Sequence, residues 1–456
     1  NPPAGGGGFS GGVQFPRAST AAPGPRPPES EDCQYLNVWT SALNDGRKRP
    51  VMVSLHGGFF FGGSGAGVDG SRLAARGDVV VVSVNHRLNA FGYTHLADHL
   101  GGEFAHSGNA GMLDIIAALE WVRDNIDRFG GDPQRVMVFG TSGGGMKTSF
   151  LMASPRAKGL LHRAGIQSGP GLKFMERADA AAVTDRLLSR LNLDRGRAAD
   201  LVSVSTRDLL AAYHAVSAEL PAARFIDLPC FAPVIDPELL PHHPFSPHAA
   251  ELTRSIPLIT GWTGQEMTFF MGADPEGFEL DEAGLEERAR GYLGEQSSAI
   301  LAQYRQAMPD ASPSRLYIQS FSDYSVMLPA VALADRKAAG GTAPVYAYRL
   351  DYQSPALDGK VGAPHNMELP LIFDTVDYSR PLFGPSDEPV RLARQMSSAW
   401  AQFAATGDPN GAGTDLPEWP RYTVDDREVM LLDTVPQVAK DPVRMERTAL
   451  APLLKV

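Results

Sequence analysis

Cysteine is nearly absent: Cys33 and Cys230 are the only two in 456 residues. Two thiols cannot build a disulfide framework or a four-ligand structural zinc site. A single bridge between them stays open at this level, and a pair of free buried thiols is the reading adopted. Long apolar runs are missing as well. No stretch of the chain approaches the roughly 18 consecutive apolar residues that a membrane-crossing helix needs, so no membrane span is expected. Positive charge is in deficit, with 41 Lys and Arg against 52 Asp and Glu and a formal net charge of −11. That balance excludes the basic stripe that phosphate backbones demand, so no nucleic-acid partner is expected. Only eight of the basic residues are Lys, a bias that carries no mechanistic weight. The first residue is Asn1 rather than Met, so the natural N-terminus is read as missing or processed. Compartment (cytoplasm, periplasm or secretion) and oligomeric state are left open.

What is present is material for a large core, with 43% hydrophobic residues punctuated by 47 Gly and 36 Pro. Residues 1–30 are dominated by Gly, Pro, Ala and Ser and read as a flexible segment. Beyond it, Gln34–Thr40 looks like a strand. Val51–Leu55 and Val79–Asn85 are near-continuous β-branched runs, the pattern of strands covered on both faces. Met112, Leu113, Ile115, Ile116, Leu119, Val122, Ile126 and Phe129 recur at helical spacing, and Gly130-Gly131-Asp132-Pro133 ends that helix. A strand over Val136–Phe139 and a helix over 143–154 follow. The alternation argues for an α/β domain with a mostly parallel sheet, continued by Arg163–Gln167, Ile256–Thr260 and Val345–Leu350. Residues of about 170–250 and 275–340 are expected to hold helical insertions capping the sheet, and 387–407 a last long helix.

Two segments could carry chemistry. Gly140-Thr141-Ser142-Gly143-Gly144 fits G-x-S-x-G, a weak motif alone, since Gly8-Phe9-Ser10-Gly11-Gly12 fits it too. Context separates them, because Ser142 directly follows an apolar strand and directly precedes a helix. A nucleophile elbow needs that setting: small neighbours allow the tight turn that lifts the hydroxyl above the sheet. His56-Gly57-Gly58-Phe59-Phe60-Phe61-Gly62-Gly63 lies at the end of the Val51–Leu55 strand. There a Gly-rich loop can present bare backbone N–H groups to an oxyanion, although a plain turn folding its aromatics inward has the same composition.

Several separate segments then resemble the type-B carboxylesterases, relatives of the cholinesterases. Glu31-Asp32-Cys33-Gln34-Tyr35-Leu36-Asn37-Val38-Trp39 is similar to that family's first signature. Asn85-His86-Arg87-Leu88 with Phe91-Gly92-Tyr93, and Gly108–Asp114 with Gly130–Pro133, resemble the lead-up to its nucleophile. Gln167-Ser168-Gly169 and Trp400–Asn410 complete the match. The resemblance implies an α/β-hydrolase fold over residues 31–456 as one catalytic domain, no cofactor, no metal, and a small-molecule ester as substrate. It further implies a catalytic triad of Ser142, Glu266 and His365. Glu266 falls in Gly261-Trp262-Thr263-Gly264-Gln265-Glu266, and His365 in Gly362-Ala363-Pro364-His365 ahead of Glu368, Leu369 and Phe373. Gly58, Phe59 and Gly143 would form the oxyanion hole. The chemistry agrees, since a serine hydroxyl needs an adjacent base that a third group orients.

The chain departs from the family pattern at informative places. Thr141 stands where a Glu is usual, Gly143 replaces Ala, Phe59 replaces Gly or Ala, and Gln265 replaces Asp. The partner of Cys33 is absent, and the family's first strands are expected to be cut short. Asp236 and Asp374 are weaker candidates for the acid. His95, His99 and His106 are read as surface residues. His242, His243 and His248 share a Pro-rich loop with no carboxylate completing a metal site. Two rivals to ester hydrolysis remain: the same triad acting on amide, carbamate or lactone bonds, and a non-catalytic cholinesterase-like adhesion protein.

Overall fold

In the computed structural model, residues 16, 18–21, 29–221, 228 and 230–454 are described. Most of the Gly/Pro-rich segment over 1–30 lies outside them, as does the second G-x-S-x-G match around Ser10. Strands β1 (Leu36–Trp39), β2 (Arg49–Leu55), β3 (Val80–Val84), β4 (Gly131–Thr141), β5 (Arg163–Gln167), β6 (Leu258–Thr263), β7 (Val345–Leu350), β8 (Glu428–Leu432) and β9 (Gln437–Lys440) form one sheet. Their order is β1-β3-β2-β4-β5-β6-β7-β8-β9. Only the outer pairs, β1 with β3 and β8 with β9, run antiparallel. The inner strands are parallel throughout.

Every residue of β2 and β3 is buried, and the period of two explains how. Val51, Val53 and Leu55 face one core with Met112, Ile115 and Ile116 of helix α1 (Ala110–Asn125) and with Phe150 of helix α2 (Gly143–Ala153). Met52 faces the opposite core with Trp400 and Phe403 of helix α3 (Glu388–Thr406). Parallel strands must be covered on both faces, and these helices do so.

The expected strands agree in existence, with β4 longer and β6 shifted toward its C-terminal end. Strands β8 and β9 were not anticipated: they are five and four residues long, and only β8, through Val429–Leu432, has a brief apolar run. The insertions are helical as expected, with Arg177–Arg190 and Thr206–Glu219 in the first. Glu282–Leu293, Ser297–Ala307, Pro313–Ser322 and Leu328–Gly340 make up the second. Their apolar faces run into the same core cluster as α1 and α2.

The family-like segments converge around α1. Arg87 donates from Nε and Nη2 to the two oxygens of Asp114 at 2.8 and 2.6 Å, and its backbone N–H adds a third bond at 2.9 Å. Asn109 holds both backbone groups of Val234, at 2.9 and 3.0 Å. Two expectations need correction. Cys33 and Cys230 are partly exposed rather than buried, and neither is in a disulfide. His95 is buried beside Asp98, and His99 packs its ring inside with Nε2 2.7 Å from Asp185, so neither is a surface residue. His106 is partly exposed and bonds Asp236. Partners far along the chain explain His99 and His106, and local sequence does not reveal them; the partner of His95 is three residues away.

Candidate active site

Ser142 occupies the one-residue turn between β4 and α2, with φ +62° and ψ −126°. For a residue with a Cβ this backbone is costly, of order 1–3 kcal/mol, and is retained where surrounding structure over-determines it. The turn is held from both sides. The Ser142 N–H donates to the Gln167 carbonyl at 2.8 Å, extending the β4–β5 ladder, and its carbonyl accepts from Met146 in the first turn of α2. Gly144 lies so close to the Leu55 carbonyl that any side chain there would overlap it.

Glu266 and His365 arrive from the ends of β6 and β7. The turn after β6 folds Glu266 back so that Oε1 accepts the Thr263 N–H at 2.7 Å. Its other oxygen, Oε2, lies 2.5 Å from His365 Nδ1. The His365 N–H also donates to the Glu266 carbonyl at 3.3 Å. Glu266 is wholly buried and His365 is 2% exposed. A buried carboxylate against Nδ1 selects the tautomer with the proton on that nitrogen and leaves Nε2 as the acceptor. Thr141, the residue before Ser142, donates to Glu368 Oε1 at 3.0 Å. Glu368 opens the short helix Glu368–Ile372, three residues beyond His365, so this bond ties the serine's strand to the histidine's loop.

The glycine-rich loop after β2 closes over the elbow. Gly58 and Phe59 both have positive φ, +84° and +49°. The Phe59 backbone packs directly on Gly143, with no room for a side chain on the latter. The three expected oxyanion donors, Gly58, Phe59 and Gly143, are thus brought to one place beside Ser142. The Phe59 ring stacks on Phe61 at 5.3 Å, giving that side of the site an aromatic wall.

Four neighbours have contacts that the sequence did not reveal. Phe269 and Phe270 pack on the His365 ring, with centroids 5.7 and 5.3 Å away. Gln265 accepts the Ala363 N–H on Oε1 at 2.8 Å and donates its own N–H to the Ala363 carbonyl at 2.9 Å. Glu368, wholly buried, is pushed up to about 7, first by burial and then by the charge of Glu266. The Phe pair could have been noticed from its position three and four residues after Glu266. Gln265 and Glu368 carried no signal beyond their place in the family segments.

The other candidates are placed elsewhere. Asp236 accepts the N–H groups of Glu238 and Leu239 and pairs with His106, a structural role. Asp374 pairs with Arg76 at 2.5 Å. His243 lies 3.1 Å from Glu176, while His242 and His248 are exposed. Among the described residues no group of three or more His, Cys, Asp or Glu side chains could hold a metal ion, and no helix is long and apolar enough to cross a membrane.

The sequence model of the carboxylesterase family matches residues 11–450. The chain is 36% identical over 432 residues to the para-nitrobenzyl esterase of Bacillus subtilis, covering 93% of this chain and 84% of that protein. It is 33% identical over 435 residues to carboxylesterase 5A of Felis catus, covering 89% and 75%. Among solved structures, a Geobacillus stearothermophilus carboxylesterase superposes with a TM-score of 0.80 at 36% identity, covering 92% of this chain and 86% of that one. An esterase from Clostridium hathewayi, described as hydrolysing aliphatic aromatic polyesters, superposes at 0.77 with 32% identity, covering 97% and 87%. The chain belongs to the carboxylesterase family and is a carboxylic-ester hydrolase of the α/β-hydrolase fold.

Proposed function

We propose that the chain cleaves carboxylic esters through a Ser142–His365–Glu266 triad and an acyl-enzyme intermediate. The observation that carries this reading is the buried 2.5 Å contact between Glu266 Oε2 and His365 Nδ1 at strand ends beside the strained Ser142 turn. His365 Nε2 takes the proton of the Ser142 hydroxyl as Oγ bonds to the ester carbonyl carbon. The carbonyl electron pair moves to oxygen, where the N–H groups of Gly58, Phe59 and Gly143 receive it. Collapse of the tetrahedral intermediate breaks the bond to the alcohol, which leaves with the proton from His365. Water, deprotonated by the same nitrogen, then attacks the acyl-Ser142 bond, releasing the acid and restoring the hydroxyl. Glu266 holds the ring orientation and stabilises the imidazolium in both steps. Ser142, Glu266 and His365 span 223 residues of chain yet follow strands of one sheet, which supports residues 31–456 as a single catalytic domain.

The aromatic wall of Phe59 and Phe61 and the pair Phe269 and Phe270 on the histidine favour a small ester with a flat or apolar flank. An organophosphate followed by peptide mapping tests the assignment: the label is expected on Ser142, with none on Ser142→Ala. Rates on p-nitrophenyl acetate are expected to fall by several orders of magnitude in Ser142→Ala and His365→Ala. Labelling at another serine overturns the reading.

A further inference from the structure

Lys147 is fully buried on the second turn of α2, five residues past Ser142. Its amine donates to the His56 carbonyl at 2.9 Å, the one hydrogen bond it makes among the described residues. No carboxylate pairs with it, and burial pulls the amine down to about 7. The Phe60 ring lies 5.6 Å from Nζ. His56 and His86, stacked in parallel at 4.8 Å, sit nearby, and burial first and the lysine second hold both imidazoles neutral. An apolar residue of the same length would fill this space without the desolvation cost of an amine. The amine's compensation is its bond to the His56 carbonyl.

That carbonyl is well placed. Leu55 ends β2, and His56 is where the strand turns into the loop bearing Gly58 and Phe59. The His56 carbonyl shares a peptide plane with the Gly57 N–H, so holding it fixes the orientation of the His56–Gly57 peptide, one peptide ahead of the one that carries the Gly58 N–H. The same loop is seated on α2 at two further points, Leu55 against Gly144 and Phe59 against Gly143. Those two contacts are steric and set only closeness. The Lys147 bond is directional and sets rotation.

We propose that Lys147 is a positioning residue for the oxyanion loop: through the His56 carbonyl it locks the Gly58 and Phe59 N–H groups in register with Gly143 above Ser142. This rests on the site assignment made under Proposed function. Donors misplaced by about half an ångström lose most of their preference for the developing oxyanion. Lys147 therefore acts on the transition state and leaves ground-state binding nearly untouched.

The test uses the full chain, with active sites counted by organophosphate titration, and compares p-nitrophenyl acetate with its thiono analogue. Sulfur accepts hydrogen bonds poorly, so the ratio of oxygen-ester to thionoester kcat/KM reads the oxyanion donors. In Lys147→Met the oxygen-ester kcat is expected to fall about 10- to 100-fold per titrated site, with KM within about threefold. The oxygen-to-sulfur ratio is expected to fall with it. Lys147→Gln, which keeps a donor on a shorter stem, is expected to fall less and to lower the ratio at least threefold. If Lys147→Met does not fold, the ratio in Lys147→Gln decides. Equal losses on both esters, or an unchanged ratio in a folded variant, overturn the proposal. A wild-type chain that takes no label at Ser142 overturns the site assignment instead, so the two failures are distinguishable.

Discussion

Gly143 and Phe59 meet backbone to backbone: a Cβ built on Gly143 would overlap the nitrogen, Cα and carbonyl oxygen of Phe59. Both positions depart from the family pattern, and the contact shows that they depart together. Phe59 holds φ +49°, in the left-handed region where a side chain costs about 1–2 kcal/mol, and it brings its backbone onto the elbow. Glycine at 143 is what lets the loop come that close. The structure makes Gly143 the seat of the loop.

A pairwise dependence follows. Gly143→Ala alone pushes the Phe59 backbone away and is expected to cost at least about 100-fold in kcat/KM, the scale of losing an oxyanion donor. Phe59→Gly alone keeps the N–H donor and is expected to remain active. The double variant is expected to recover at least tenfold over Gly143→Ala, since a glycine at 59 can shift without strain. Steady-state kinetics on p-nitrophenyl acetate measure the cycle, and strict additivity contradicts the coupling.

Glu368 makes a prediction about pH. Its carboxyl is raised in the folded chain from 4.5 to about 7, chiefly by burial and next by Glu266. The folded state then binds the proton more tightly than the unfolded state. The associated stability is present below about pH 4.5 and is lost as pH rises through about 7. Glu368→Gln mimics the protonated carboxyl and still accepts from Thr141, so it should match wild type near pH 5 and exceed it in Tm near pH 8. A Tm difference that is constant across that range contradicts the assignment.

Asn109 lends itself to a purely structural prediction. Its amide bridges α1 to the first insertion by satisfying both backbone groups of buried Val234. Asn109→Ala leaves that pair without partners and is expected to cost about 2 kcal/mol. Chemical denaturation should show the loss, with kcat per folded molecule nearly unchanged. A large fall in kcat with full stability would place Asn109 nearer the chemistry than the structure does.

Much of this molecule was legible in the chain because its signals are local. Four consecutive valines before Ser83 announce a buried parallel strand, and a serine between strand and helix announces the elbow. The acid and base of the proposed triad were not readable from local physics. Glu266 and His365 lie 99 residues apart and meet only because β6 and β7 are neighbours, so their assignment leaned on resemblance. The contacts that escaped, those of Lys147, Gln265 and Glu368, are with backbone or side chains from distant parts of the chain. A buried lysine inside an apolar helix is a conspicuous letter, but its partner is a carbonyl, which leaves no mark in sequence. Strand β9 escaped because a short edge strand needs no apolar run, and β8 because its run is only four residues long.

Gln265 carries the last prediction. It stands between Gly264 and Glu266, the proposed acid, and its side chain and backbone clasp Ala363, two residues before His365, the proposed base. The clasp is braced by Gln319 at 3.2 Å and Gln353 at 3.4 Å. One turn thus aims the acid while gripping the loop that carries the base. In Gln265→Ala the buried Ala363 N–H loses its acceptor, which costs about 1–3 kcal/mol, and the His365 loop gains freedom to tilt. Both Tm and kcat/KM are expected to fall, the latter by about tenfold, since a tilt of 10–20° is enough to spoil the geometry at Nε2. Gln265→Glu keeps an oxygen for Ala363 and should recover most of the stability. It adds a negative charge beside Glu266, so its activity should fall behind its stability. Kinetics and thermal melts on the two variants separate the clasp from the charge, and equal recovery of both quantities in Gln265→Glu would show that the clasp alone matters.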